Sequence, residues 1–389
     1  MSTKGKRILL IVLAVLLAAA LIALGVLVLR NRNAKTPEAT APATEVPTEA
    51  PTVPATEAPT EEPTEEPTQA PTVEPTEPAA AAYANPLTGE AMAAPLTQRI
   101  FMASINNHKE AMPQHGISQA DIYYEMLVEG TVTRCLGVFT DIGSVEKLGA
   151  IRSARIYTVS LTQCYDAILC HAGGSAEADT AISKLGIADI DGVRGSGGDA
   201  YYRDQARRSA GYALEHTLFT GADLLLKNAE KRGLRLEESK PYDFGLTFAE
   251  DATPTGGERA NTLTFAFGNG KYAKKTTMTY NADTGKYEAA QFGEEWIDGN
   301  TGKVLSFENV LVLYANTYTQ KDGVHKSIDL VGKGDGLFAC NGQIIPIKWS
   351  RSGDTSPFVY TLTDGTSLTL GIGHTYIGLV PLKADVSYE

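Results

Sequence analysis

INNHKEAMPQHGISQADIYYEMLVEGTVTR (residues 105–134) followed by CLGVF (135–139) carries the reading from which the fold follows. Two apolar, aromatic-rich runs, 122–129 and 132–139, flank Gly130-Thr131. Glycine at the first central position of a two-residue loop suits a type II′ hairpin turn. That turn predicts Glu129 opposite Val132, Leu127 opposite Arg134 and Glu125 opposite Leu136. Period-2 alternation then puts Glu125, Glu129 and Arg134 on one face, both carboxylates diagonal to the guanidinium. Two readings follow. One is a ligand-facing acid/base pair tuned by Arg134; the other is a satisfied salt-bridge cluster at a sheet edge or domain seam. Upstream, residues 100–105 form a short apolar strand leading into Asn107 and His108, with Gln114 beyond.

Downstream comes GAIRSAR (149–155), which opens a helix expected over 154–164 with Ser153 as its N-cap. A helix N-terminus flanked by Arg152 and Arg155 is an anion site for carboxylate or phosphate, unless the arginines tie the turn to Glu125 or Glu129. YDAILCHAGGS (165–175) then reads as a buried strand, a glycine turn and the start of a helix over 176–185. Ligands gather at such turns because backbone N–H groups are exposed there. The turn lacks the GK[ST] of a phosphate loop, is not GxGxxG, and is not the GxSxG elbow of a hydrolase. Ser175 is a helix N-cap or a nucleophile; His171, at the strand's end, is a site residue or a structural hydrogen-bonding partner. The Gly-, Tyr- and Arg-rich stretch 191–221 reads as a binding loop with Tyr202, Arg203, Asp204 and His216 as candidates. Thr220 with Asp223 resembles a capping box for a helix running to Lys231.

Outside this block the chain changes texture. Residues 8–29 are an unbroken apolar run, long enough at about 1.5 Å per residue to cross a ~30 Å hydrocarbon core. Residues 36–78 are built of Thr, Pro, Glu, Ala and Val with one Gln, too poor in apolar material for a core. As an extended spacer they reach on the order of 100 Å. Lys4, Lys6 and Arg7 precede the apolar run and Arg30, Arg32 and Lys35 follow it, so charge leaves orientation balanced. The stalk argues for the folded part outside the cytoplasm. From about residue 259 repeated Gly turns separate alternating strands, and Trp296, Trp349 and Tyr376 read as packing aromatics, with sugar stacking at Trp349 the lesser reading.

The expected organisation is a cytoplasmic tail (1–7), a transmembrane helix (8–29), a disordered stalk (30–82), an N-terminal α/β domain (83–245) and a β-rich C-terminal domain (246–389). The fold class expected is mixed α/β, layered β-sheets with helices on one side. The net charge of −12, with neither a basic patch nor aromatic-interleaved Lys/Arg runs, argues against nucleic acid. Cys135, Cys164, Cys170 and Cys340 form no CxxC or Cys/His zinc pattern, so no metal or cofactor is implied. Two disulfides are possible by count, but Cys135 and Cys170 sit in apolar runs, where a free cysteine acts as a small hydrophobe.

The string NNH (106–108), PQHGISQADIYYEMLVEGTVTR (113–134), GAIRSAR, YDAILCHAGGS, DGV (191–193), YYRD (201–204) and HTLFT (216–220) resembles the YerB-like family of predicted bacterial lipoproteins. WIDGNTGKVLSFENVLVLY (296–314), GKGDGLFACNGQIIPIKWSR (332–351) and GHTYIGLVP (373–381) extend the resemblance through the C-terminal half. It implies a two-part fold of layered sheets and an extracytoplasmic location, and it implies no activity and no catalytic residue. Positions matching the family's polar motifs are Asn107, His108, Gln114, Asp121, Glu125, Glu129, Arg134, Arg152, Arg155, His171 and Ser175. Family members start with a lipid-modified cysteine, whereas this chain carries the apolar run and stalk. Cys135, Cys170 and Cys340 stand where the family has apolar or turn residues, which weakens a disulfide or metal role.

Three functions are compatible with these residues. The first is a cell-surface protein binding an anionic or polyhydroxylated envelope component through Arg134, Arg152, Arg155, His108 and His171, with Arg203 in an adjoining loop. The second is an envelope hydrolase using Glu125 or Glu129, with or without a metal on His108 and His171. In extended geometry those carboxylates lie roughly 13 Å apart, too far for a glycosidase pair. The third is a structural partner domain of an envelope complex.

Overall fold

A computed structural model describes residues 83–389, residues 196 and 269 excepted. The expected tail, membrane-spanning helix and stalk lie outside the described residues. Among the described residues no helix is long and apolar enough to cross a membrane.

The N-terminal elements are β1 (Phe101–Asn107), β2 (Ile122–Glu129), β3 (Val132–Phe139), α1 (Ile156–Cys164), β4 (Ile168–His171), α2 (Ala176–Leu185), β5 (Asp189–Asp191), the short α3 (Gln205–Ser209) and α4 (Ala222–Lys231). After them come β6 (Glu258–Arg259), β7 (Thr262–Ala266), β8 (Lys275–Asn281), β9 (Lys286–Gln291), β10 (Glu294–Glu295) and β11 (Ser306–Phe307). The chain closes with β12 (Asn309–Ala315), β13 (Gly332–Cys340), β14 (Gln343–Arg351), β15 (Val359–Leu362), β16 (Thr375–Pro381) and β17 (Val386–Tyr388).

Eleven strands make one sheet in the order β6-β14-β13-β12-β16-β2-β3-β1-β4-β5, with β15 beside β14. Strands from both sides of residue 246 therefore share a sheet. They meet where β16 runs parallel to β2, with Thr375 opposite Ile122 and Leu379 opposite Met126. A six-stranded sheet, β10-β9-β8-β7-β17 with β11 beside β9, is built wholly from the C-terminal part.

The patterning follows from what each strand faces. In β2 every residue but Glu129 is buried, because layers cover both faces of this central strand. Phe101, Ala103, Ile105, Tyr123, Leu127 and Cys135 point to a core shared with the smaller sheet (Phe265, Met278, Tyr287) and with Leu225 and Ala229 of α4. Met102, Ile122, Tyr124, Met126, Leu136 and Val138 point to the other side, against Tyr157, Val159 and Leu161 of α1 and Ala178 of α2.

Helices thus lie on both faces of the large sheet, not on one side as expected. With 42% of the structure in strands and 15% in helices, the fold is mostly β.

Local expectations fared unevenly. Helices α1 and α4 end where the sequence predicts, at Cys164 and Lys231, and α2 has the predicted bounds. Their caps differ. Helix α1 starts from Arg155, whose N–H is received by the Thr158 hydroxyl at 2.9 Å, while the Ser153 hydroxyl donates to Ala172 O. Helix α4 starts from Gly221 without a side-chain cap, and Thr220 donates instead to Ala200 O. All four cysteines are free and buried. Trp296 and Trp349 are packed inside, their indole N–H groups donating to Gln114 Oε1 (2.6 Å) and Tyr314 O (3.1 Å), so Trp349 offers no face to a sugar.

Candidate functional site

The β2–β3 hairpin positions the polar residues, and one extra residue changes their arrangement. The observed register sets Glu129 opposite Val132 as expected, but Leu127 faces Thr133, Met126 faces Arg134 and Glu125 faces Cys135. The shift is a β-bulge between Leu127 and Glu129 that absorbs Val128. A one-residue slip exchanges faces. Glu125, Thr133 and Asn107 consequently point toward the smaller sheet, and Arg134 and Glu129 point toward α1. The expected three-residue face of Glu125, Glu129 and Arg134 is not formed.

On the α1 side the arginines surround a carboxylate of the same chain. Arg155 Nη2 pairs with Glu129, Arg134 Nη2 lies 3.9 Å from it, and His325 Nε2 approaches to 3.7 Å. Arg134 also donates to Ser153 O at 2.8 Å, and burial, together with the nearby Arg152 charge, pushes it down to about 10. Arg152 makes no side-chain hydrogen bond among the described residues, and its buried Nε has no partner. Arg203 donates to Leu214 O at 2.6 Å. Glu129 is the anion this cluster holds.

The remaining predicted residues are committed to the scaffold. Gln114 donates to Asn106 O (2.6 Å) and accepts from Tyr123 and Trp296. Ser175 caps α2 by accepting from Ala178 N. His171 is buried, with Nδ1 on Gly173 O (2.8 Å) and Nε2 on Asp189 Oδ2 (3.2 Å). His108 stacks instead on His216, centroids 5.4 Å apart, so the expected pairing of His108 with His171 does not occur.

His108, Glu110 and His216 do bring three ligand atoms within 4.8 Å of one another. The hydrogen bonds argue against a metal there. His108 N–H donates to Asn106 Oδ1 (3.1 Å), which turns Asn106 Nδ2 toward His216 Nδ1 (2.8 Å). Nδ1 therefore accepts, and a neutral ring carries its proton on Nε2, the nitrogen facing Glu110.

Burial holds the imidazoles of both His216 and His115 below the ordinary 6.5. Carboxylates at Glu215 and Glu110 oppose this for His216, while His108 and Arg152 add to it. Below 6.5 the unfolded chain binds protons that the folded chain resists, so stability is complete above that pH and declines beneath it. The urea midpoint is expected to fall between about pH 8 and pH 5.5, and to fall less steeply in His216→Asn. A midpoint flat over that range would contradict the assignment.

The open space lies on the other face of the hairpin. A cleft of about 600 Å³ is walled by Asn107, His108 and residues 131–133 on one side and by residues 271–275 and 290–293 on the other. Four lysines, 109, 271, 274 and 275, line it, and no described lining residue is a carboxylate. At its floor Lys274, 7% exposed, pairs with Glu125, 0% exposed. Glu125 also accepts from Asn107 Nδ2 (2.9 Å), Thr133 Oγ1 (2.6 Å), Thr276 Oγ1 (2.7 Å) and Tyr376 Oη (2.5 Å). A carboxylate with every lone pair occupied and a lysine across it holds the two sheets together and has no capacity left for proton transfer to a ligand. The Lys274 ammonium sits 5.1 Å from the Phe267 and Trp296 centroids, and burial lowers its pKa in spite of Glu125.

Gln291 and Phe292 close the cleft. Gln291, 5% exposed, donates to Asn107 Oδ1 (2.9 Å) and leaves its buried Oε1 without a partner. Phe292 and Gly293 form the two-residue loop between β9 and β10, both in the left-handed region (φ 57° and 83°). Asn-Gly is the usual pair for such a turn. An aromatic residue there costs about 1–2 kcal/mol of backbone strain. The sequence reading missed this half of the site. The short basic run Lys271-Tyr272-Ala273-Lys274-Lys275 contradicts the expected lack of a basic, aromatic-interleaved segment, and Phe292-Gly293 was a legible oddity in a hairpin.

Comparison with known proteins agrees with this architecture. The family model described as a protein of unknown function (DUF3048), N-terminal domain, matches residues 87–235, and its C-terminal domain counterpart matches residues 263–377. YerB of Bacillus subtilis (strain 168), named as a predicted lipoprotein, is 29% identical over 298 residues, covering 76% of this chain and 86% of YerB. The crystal structure of YerB from Bacillus subtilis is similar with a TM-score of 0.68 at 28% identity, covering 78% of this chain and 99% of that one.

Proposed function

Because the chain belongs to the DUF3048 family, the YerB-like proteins of unknown function, no activity comes to it by kinship, and we propose from its own geometry that it binds an anionic ligand in the lysine-lined cleft. The observation that carries this reading is the charge of the cleft: Lys109, Lys271 and Lys275 line it outside the Lys274–Glu125 pair, and no described lining residue is a carboxylate, in a chain whose net charge is −12. A cationic concavity on an acidic protein selects anions through its local field. The naming of YerB as a predicted lipoprotein supports an extracytoplasmic setting, which makes an acidic component of the cell envelope the natural ligand. Glu125 and Glu129 lie on opposite faces of the sheet, so a hydrolase reading would rest on one of them alone.

Lys271 and Lys275 are exposed and make no ion pair in the described structure, so reversing them leaves the core untouched. Lys271→Glu and Lys275→Glu are each expected to weaken binding of an acidic polysaccharide roughly tenfold, with the wild-type affinity falling steeply as salt rises. Calorimetric titration of the full-length chain in mild detergent measures both. Equal affinity for parent and variants, or insensitivity to salt, would reject the cleft as the binding site.

A further inference from the structure

The lysine-lined cleft shares Lys109, Gln291 and Phe292 with a second cleft of about 370 Å³. The second one is lined in addition by Met112, Pro113, Trp296, Ile297, Glu294 and Glu295. Apart from the shared Lys109, the first cleft thus carries lysines and the second carries Glu294 and Glu295, with Phe292 lining both. We infer that the two clefts form one groove for an acidic glycan in which charged and uncharged rings alternate, with Phe292 as the platform beneath the ring that spans them. This rests on the anion-binding reading of the first cleft and specifies its ligand class.

Three features support it. A uniformly charged polymer would carry its next anion against Glu294 and Glu295, where like charges repel. A neutral hydroxylated ring meets no such penalty and gains the apolar surface of Met112 and Pro113. Gln291 Oε1, buried and unpartnered where the clefts adjoin, is an acceptor suited to a ring hydroxyl, and a buried acceptor without a partner is costly to keep. Phe292 holds a half-buried aromatic ring, lining both clefts, on a backbone that asparagine or glycine would adopt without strain. Strain kept at a bulky residue is characteristic of ligand clamps.

The test titrates the full-length chain with three probes of matched length: hyaluronan oligosaccharides, whose acidic and neutral rings alternate, polygalacturonate oligomers, charged at every ring, and oligo-dT. Wild type is expected to prefer hyaluronan by several-fold to about tenfold, the scale of one aromatic contact. Phe292→Asn suits the left-handed turn, so its melting temperature should equal or exceed that of the parent while the preference disappears. Lys275→Glu should weaken both sugars alike. Polygalacturonate or oligo-dT binding as tightly as hyaluronan, or a preference that survives in Phe292→Asn, would overturn the alternating-glycan assignment and leave the anion site standing. Failure of every polyanion to bind wild type would reject that site and this groove together.

Discussion

Lys274→Met is expected to destabilise the fold by about 3–5 kcal/mol, the cost of leaving one member of a buried ion pair uncompensated. Glu125 would keep its four hydrogen-bond donors but lose the cation it pairs with among the described residues, at a position with no exposure. Glu125→Gln should cost about as much from the other side, since the ammonium then sits among aromatic rings without a counter-charge. The two variants report on one interaction, so their effects should not add. In Glu125→Gln/Lys274→Met the amide oxygen still receives Asn107 and Thr133, while the Thr276 and Tyr376 hydroxyls can turn to accept from its N–H group. Most of the loss should be recovered, because replacing both members of a buried pair is often close to neutral. The single Glu125→Gln variant has a further signature. Burial already lowers the Lys274 pKa in the parent, so the unfolded chain binds the extra proton below 10.5 and stability rises with pH there; without the Glu125 charge, which opposes that shift, the rise should be larger. Urea midpoints of the four proteins decide the matter. Additive losses would mean that Glu125 and Lys274 contribute separately.

Arg207→Ala is expected to cost about 3 kcal/mol or more, and Arg207→Lys to recover little of it. This side chain, 7% exposed, donates to three backbone carbonyls: Ala111 O (2.7 Å), His216 O (3.2 Å) and Pro113 O. Its guanidinium also lies between the Tyr212 and Phe219 rings, 5.0 and 4.8 Å from their centroids. Truncation leaves buried acceptors unmet at about 1–3 kcal/mol each. A lysine ammonium has neither the planar fork to span three carbonyls nor the flat face to stack. The consequence extends to the cleft, because the tied segments carry His108, Lys109 and His216. Thermal unfolding and anion affinity should therefore both drop in Arg207→Ala. An alanine variant as stable as the parent would show that these carbonyls are met by water instead.

Legibility in the sequence divided along physical lines. Helix α2 was readable to the residue, because its cap, its acidic first turn and its closing glycine all lie within a dozen neighbouring positions. The β2–β3 hairpin was equally plain as an element, and its register was not. Alternation assumes an unbroken ladder, and the single residue absorbed at Val128 leaves no mark in composition or spacing. That one residue moved Arg134 and Glu129 away from Glu125 and turned an apparent acid/base trio into an internal ion pair on one face and a core ion pair on the other.

The sequence by itself determined the family resemblance, the textures of the two halves, and the places where the chain turns, because propensity, capping and alternation act between close neighbours. Only the tertiary structure decided which polar residues meet. Glu125 gathers partners 8, 18, 151 and 251 residues distant along the chain. Lys271, Lys274 and Lys275 reach Asn107 and His108 because β16 returns to pair with β2 and lays the C-terminal sheet over the N-terminal strands. Such contacts depend on strand order and on register between distant segments, which local pattern does not encode.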